Sequence, residues 1–173
     1  MGSGEEILTV GHSNHEEGEF IELLHGAGVE LIADVRANPR SRHPHFNGSA
    51  LAGAMKSIGI GYAPLGGDLG GRRQPLPDSV NEGWELEAFR GYADHMASDE
   101  FRAAYDRLRE LARAAPTAFM CAETLWWKCH RRLLADRLTA DGWTVVQLRV
   151  GGPPEPHRLT DAARVEQGRL SYD

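Results

Sequence analysis

The sequence predicts a single α/β domain over residues 5–173, built on a mainly parallel central sheet of about five strands flanked by helices. Three observations predict it. Short apolar runs alternate with helical patterns along the whole chain. The first strand, helix and strand close within about 30 residues, the length of a βαβ unit with its right-handed crossover. At 173 residues the chain has the size of one domain, which buries roughly 68–70% of its unfolded surface without a staple.

Ile7-Leu8-Thr9-Val10 reads as a buried strand stopped by Gly11 and followed by the loop Gly11-His12-Ser13-Asn14-His15. Asn14 or His15 opens a helix carrying Phe20, Ile21, Leu23 and Leu24, which Gly26-Ala27-Gly28 ends. Val29 to Val35 returns as the second strand. The loop from Arg36 to Phe46 is rich in Arg, His and Pro, and Asn47 has the character of a cap for a small-residue helix from Gly48 to Ile58. Ile60 to Leu65 is the third strand, ended by Gly66-Gly67. From Asp68 to Gly83 there is no apolar periodicity, so a long surface loop is expected, a feature often functional in a compact domain.

Helices follow from Leu86 to Met96 and from Ser98 to Ala114, with Ser98 as cap and Phe101, Tyr105, Leu108 and Leu111 at core spacing. Thr117 to Cys121 is a buried strand. A helix resumes from Cys129 to Thr139, and Thr144 to Val150 is the last strand. The tail from Gly151 reads as irregular, with a short helix around Asp161 to Val165.

A hydrophobic content of 41% and a charged content of 25% are ordinary for a globular protein. No apolar run is long enough to span a membrane, and the start lacks the regions of a signal peptide, so a cytoplasmic protein without a membrane partner is expected. Two cysteines, Cys121 and Cys129, are too few for a disulfide scaffold and are expected as thiols. The net charge of −6 counts against a general nucleic-acid coat protein. Basic residues nevertheless cluster at Arg36, Arg40, Arg42, His43 and His45, at Arg72-Arg73, and at Lys128 to Arg132.

In open parallel sheets ligands bind beyond the carboxyl ends of the strands. That rule selects His12 and Ser13, then Asp34, Arg36, Arg40 and Ser41, then Gly66 and Gly67, and finally Cys121 to Arg131. Cys121-Ala122-Glu123 followed by Cys129-His130-Arg131 at a helix start is the strongest local signal, since a helix N-terminus and Arg131 both favour anions and thiolates. Either cysteine is equally readable as a buried core residue. Glu123 is a candidate acid or base that Trp126 and Trp127 would desolvate, or else a cap or an ion-pair partner of Arg36. Asp34 with Arg36 reads as an ion pair or as a group orienting a ligand. Cys121 and Arg131 do not have the six-residue spacing of a phosphatase loop. Cys121, Glu123, Cys129 and His130 are suitable metal donors but lack a paired C-x-x-C, so neither metal nor cofactor is expected. Trp84, Phe89, Tyr92, Trp126 and Trp127 lie near the basic loops and suit either base stacking or core filling.

Thr9 to Asn14, Asp34-Val35-Arg36 with Pro39-Arg40-Ser41, Phe46-Asn47, Leu65-Gly66-Gly67, Phe89 to Tyr92, Met120 to Glu123 with Cys129 to Arg132, and His157-Arg158-Leu159 together resemble the family called domain of unknown function 488. The resemblance implies a compact bacterial α/β protein of cytoplasmic type and brings no activity with it. It ties the same segments into one site of His12, Ser13, Asp34, Arg36, Cys121, Glu123, Cys129, His130 and Arg131. The first expectation is an enzyme acting on a phosphate-bearing substrate, a nucleotide or nucleic acid, with Arg36, Arg40 and Arg131 holding phosphate. Cys121, Glu123, Asp34 and His12 would do the chemistry, while Ser13, Ser41, Cys129, His130, Trp126 and Tyr92 would contact the substrate. A thiol-dependent sulfur or acyl transferase and a non-catalytic nucleic-acid-binding module are the alternatives. In each case the partner is an anionic small molecule or nucleic acid.

Overall fold

The computed structural model describes residues 4–71 and 73–173, so Arg72 of the basic pair lies outside the described residues. The apolar runs form strands β1 (Glu6–Gly11), β2 (Leu31–Asp34), β3 (Gly61–Pro64), β4 (Thr117–Cys121) and β5 (Thr144–Gln147). All five are parallel, and a two-residue strand β6 (Glu155–Pro156) adds antiparallel to β5, giving the order β3-β2-β4-β1-β5-β6. The chain leaves β1 for β2 and returns to insert β4 between them. The carboxyl ends of β1, β2 and β4 are thereby neighbours at the reversal of winding.

Alternation along the strands sends one set of side chains to each face. Leu8, Val10, Ile32 and Met120 pack against helices α1 (Glu17–Gly26) and α2 (Gly48–Ser57) through Phe20, Leu24, Leu51 and Met55. Ile7, Ala33, Phe119 and Val145 share the opposite core with helices α4 (Glu87–His95), α5 (Asp99–Ala114) and α6 (Arg131–Ala140). The Phe101, Tyr105 and Leu108 side chains that hold α5 are each almost completely buried, worth roughly 1.5–3 kcal/mol apiece for residues of this kind. Among the described residues no helix is long and apolar enough to cross a membrane.

Local chemistry agrees with expectation at some termini and departs from it at others. Ser98 caps α5, its hydroxyl accepting from the Phe101 N–H. Asn47 does not cap α2 with its side chain; its amide oxygen accepts from the Ser41 N–H at 2.7 Å and closes the basic loop instead. Helix α1 begins only at Glu17, beyond Asn14 and His15. The stretch after β3 opens with one helical turn, α3 (Gly66–Leu69). Leu76, Ser79 and Asn81 further along are tied to Asp94, whose carboxylate accepts from the Leu76 N–H, the Ser79 hydroxyl and the Asn81 amide.

The tail corrects the helical reading of Asp161 to Val165. Strands β7 (Ala163–Glu166) and β8 (Arg169–Tyr172) form a hairpin, with Gln167 and Gly168 both at positive φ in its tight turn. Two consecutive positive φ values match the right-handed twist of a hairpin. Tyr172 is anchored in the core, its hydroxyl donating to the Asp136 carboxylate of α6.

Candidate active site at the strand ends

Two close backbone approaches draw the strand-end loops together. A Cβ on Gly11 would stand 1.8 Å from the Glu123 carbonyl oxygen, so glycine lets the loop after β4 lie directly on the end of β1. Two backbone bonds then join the loops beyond the strands, His12 N–H to Cys121 C=O and Ser13 N–H to Ala122 C=O. Ser13 takes a φ of 45° as the chain turns away. Likewise a Cβ on Gly66 would stand 1.8 Å from the Arg36 carbonyl oxygen, which seats α3 against the loop after β2.

Cys121, the last residue of β4, meets Cys129 at an Sγ–Sγ separation of 2.9 Å, both as free thiols. Arg131, in the first turn of α6, directs its Nε–H at the Cys121 sulfur from 3.0 Å. Burial alone would push the Cys121 thiol up. The Cys129 S–H donated to it and the charge and N–H of Arg131 outweigh burial and hold it down at about 6. Cys129 moves the opposite way, well above the ordinary thiol range, because its proton is held by Cys121 and its sulfur is buried. The surroundings therefore favour the thiolate on Cys121 and the proton on Cys129, which donates to it.

Arg131 is fully buried, and all five of its N–H donors have protein acceptors. Besides Cys121 these are the Thr9 hydroxyl, the Gln147 amide oxygen and the Glu123 and Thr124 carbonyls. The chain of contacts continues behind it. Gln147 bonds the Nδ1 of His157, whose Nε2–H donates to the buried carboxylate of Asp136. Trp126 leans edge-on against the same His157 ring.

A second buried cluster forms the neighbouring wall. Arg36 pairs with Asp34 in a two-pronged contact, Nε to one carboxylate oxygen and Nη2 to the other. Its Nη1 reaches the Phe46 carbonyl and the Nε2 of His12. The Nδ1 of His12 bonds the Ser13 carbonyl and so carries the proton, leaving Nε2 as acceptor. Burial, reinforced by the Arg36 charge, lowers His12 to about 4, and the ring is neutral at pH 7. Asp34 with Arg36 is thus an ion pair in the structure. Arg36 also lines the cavity described next.

That cavity, about 440 Å³, opens above the cysteines. Cys121, Cys129 and His130 line it together with Arg36, Arg40, Phe89, Glu123 and Lys128. His130 donates Nε2–H to the Val35 carbonyl and turns Nδ1 toward the Cys129 sulfur at 3.4 Å. Burial lowers this histidine to about 4 as well. Glu123 is exposed, with its carboxylate accepting from the Leu125 N–H at 3.1 Å. The expected desolvation by Trp126 and Trp127 and the pairing with Arg36 are therefore corrected.

Other expected residues fall outside the cavity. Ser13 points its hydroxyl at Asn14, and Ser41 belongs to an adjoining depression with Arg40 and Asn47. Trp126 lines a separate cleft against the tail. Tyr92 is completely buried, its hydroxyl donating to the Leu69 carbonyl beneath the site. Among the described residues no group of three or more His, Cys, Asp or Glu side chains is gathered to hold a metal ion. Sequence reasoning missed Thr9 and Gln147. Their signal was present: a polar side chain on the covered face of a central strand needs a partner, and here the partner is Arg131.

Fold and site together define a parallel α/β domain with a buried, arginine-supported cysteine pair at its strand ends. A family model described as domain of unknown function DUF488 matches residues 17–138, more than half of the sequence, and the chain belongs to that family. The motif of β1 and the tail residues His157-Arg158-Leu159 lie outside the matched span. No curated protein and no solved structure matches the chain.

Proposed function

We propose that the protein is a thiol-dependent enzyme of sulfur transfer in which the Cys121 thiolate attacks an electrophilic sulfur of the substrate. The observation that carries this reading is the double support of one sulfur, by Arg131 at 3.0 Å and Cys129 at 2.9 Å, at the floor of an open cavity. In the step, Cys121–S⁻ bonds to one sulfur of R–S–S–R′, the S–S bond breaks, and R′–S⁻ leaves with the electron pair. Such exchange needs a thiolate and an accessible sulfur, with neither an oxyanion hole nor a general base for the nucleophile. Acyl transfer would also need an oxyanion hole and an acid for its leaving group. His12 is poorly disposed as that acid, since its Nδ1–H is bound to the Ser13 carbonyl and its Nε2 accepts from Arg36.

The phosphate-bearing substrate finds less support. Arg131 directs every donor to the protein, and Arg36 is engaged by Asp34, Phe46 and His12. Arg40 and Lys128 are exposed at the cavity and favour a substrate with an anionic group beside its reacting sulfur. This keeps a nucleotide-like substrate as the second reading, with the anion on those two side chains. The test is incubation of the Cys129→Ser variant with glutathione disulfide, followed by intact-mass and peptide analysis. A glutathione adduct on Cys121, formed at a pH below that at which an ordinary thiol reacts and absent from Cys121→Ser, is expected. A Cys121 that resists both glutathione disulfide and alkylation up to pH 9 overturns the reading.

A further inference from the structure

Cys129 has a chemical position that the first attack does not use. Its sulfur lies 2.9 Å from that of Cys121, so closing to the disulfide bond length of about 2.05 Å takes less than about 1 Å of movement. It lines the same cavity, so a group carried on Cys121 stands next to it. Its sulfur also faces the Arg131 backbone N–H, a donor, and the Nδ1 of His130 at 3.4 Å, whose ring is oriented by the bond from Nε2–H to the Val35 carbonyl. Once Cys121 is in covalent linkage it no longer accepts the Cys129 proton as a thiolate, and His130 Nδ1 is the remaining acceptor among these contacts.

We infer that Cys129 is a resolving thiol, and that the protein runs a dithiol–disulfide cycle with a small-molecule disulfide as oxidant. The inference rests on the thiol reading of Cys121 given above. Cys129 attacks the Cys121 sulfur of Cys121–S–S–R. The Cys121–Cys129 bond forms, the bond to R–S breaks, and the Cys129 proton passes by way of His130 to the leaving thiolate, giving R–SH. Two thiols have become one disulfide and the substrate disulfide two thiols, so electrons and protons balance. A small-molecule dithiol, oxidised to its own disulfide, reverses the sequence and restores the reduced pair. His130 acts as a positioning and proton-accepting residue for Cys129 and has no part in the first attack.

Glutathione disulfide is the probe, and intact mass after acid quenching is the readout. The wild-type protein is expected to pass through a short-lived Cys121 adduct to a form lighter by two hydrogens, with both thiols protected from alkylation. Cys129→Ser, which keeps a hydroxyl donor toward Cys121, is expected to hold the adduct at least about a hundredfold longer, because resolution within one site replaces a bimolecular step. His130→Gln is expected to slow loss of the adduct by a larger factor than it slows its formation. Equal adduct lifetimes in wild type and Cys129→Ser overturn this inference and leave the Cys121 reading standing. Failure of the adduct to form in either protein overturns the Cys121 reading itself. Should Cys129→Ser not fold, a wild-type adduct that forms and never converts to the internal disulfide overturns the inference alone.

Discussion

Replacing Arg131 by Met removes the guanidinium and keeps an unbranched side chain in its place. At the 3.0 Å separation of Nε from the Cys121 sulfur, two unit charges attract by about 5 kcal/mol at an effective dielectric near 20. The arginine charge is spread over three nitrogens, so about half of that acts on the thiolate, or roughly two pKa units. The Cys121 midpoint should therefore rise from about 6 to about 8 or above. The rate of alkylation at a single pH is a poor assay. Near pH 7 the thiolate fraction falls by roughly tenfold or more, yet a thiolate of higher pKa is intrinsically more nucleophilic, with a Brønsted slope of about 0.4–0.5, and most of the loss is cancelled. The thiolate ultraviolet absorbance followed against pH reads the midpoint directly. The variant also orphans Thr9, Gln147 and two carbonyls, so about 3–5 kcal/mol of stability is expected to go with it. Far-ultraviolet circular dichroism establishes that it is folded. Arg131→Lys keeps the charge without the fork and should show an intermediate midpoint. A folded Arg131→Met protein whose midpoint stays near 6 would refute the assignment and leave Cys129 as the sole support of the thiolate.

Gly11→Ala places a methyl group 1.8 Å from the Glu123 carbonyl oxygen, and backbone on both sides must separate. A loss of about 1–3 kcal/mol or more is expected in urea denaturation, with Cys121 reactivity altered although no functional group has been removed; an unchanged midpoint and reactivity would show that the two loops are not in contact. Stability should also rise with pH from about 4 to about 9. His12 and His130 are lowered to about 4, so between 4 and 6.5 the unfolded chain binds protons that the folded one does not. The same holds for Cys121 between about 6 and 9. More protons on the unfolded state means stability gained as pH rises and lost as it falls. Above about 9 the raised Cys129 reverses the sign. Urea midpoints at pH 5, 8 and 10 check the dome, and a decline from 5 to 8 would contradict it.

Much of the sheet was legible because each parallel strand is a short apolar run and each crossover a helix of recognisable period. The strand-end rule then brought Cys121, Arg36, Asp34 and His12 to one end of the sheet without knowledge of the strand order. What escaped depended on partners distant in sequence. Arg131 reads as an exposed anion binder, since nothing near it in the chain announces that Thr9 and Gln147 await it from two other strands. Tyr92 has the same composition whether it faces a ligand or the Leu69 carbonyl. The β7–β8 hairpin was hidden because Gln167-Gly168 is a less familiar turn pair than Asn-Gly, although the alternation on either side of it was there. The Cys121–Cys129 contact joins residues only eight positions apart. It depends on the single 3₁₀ turn at Trp126–Lys128 that folds the chain back between them.

Strand β1 occupies the middle of the sheet, yet both strands that flank it, β4 and β5, come more than 100 residues later in the chain. A growing polypeptide that has made the first three strands can pair β2 with β3, while β1 has no hydrogen-bonding neighbour until Thr117 and its successors appear. Such long loop closure before any reward makes for slow folding, and an apolar strand waiting with two open edges is prone to mispairing. The arrival of β4 gives β1 its first neighbour and carries Cys121 into place in the same event, while α6 and β5, which follow, bring Arg131 and Gln147 and cover the second edge. Nucleophile and central scaffold are therefore assembled from the same late part of the chain, and a folding intermediate that lacks β4 has no reactive site.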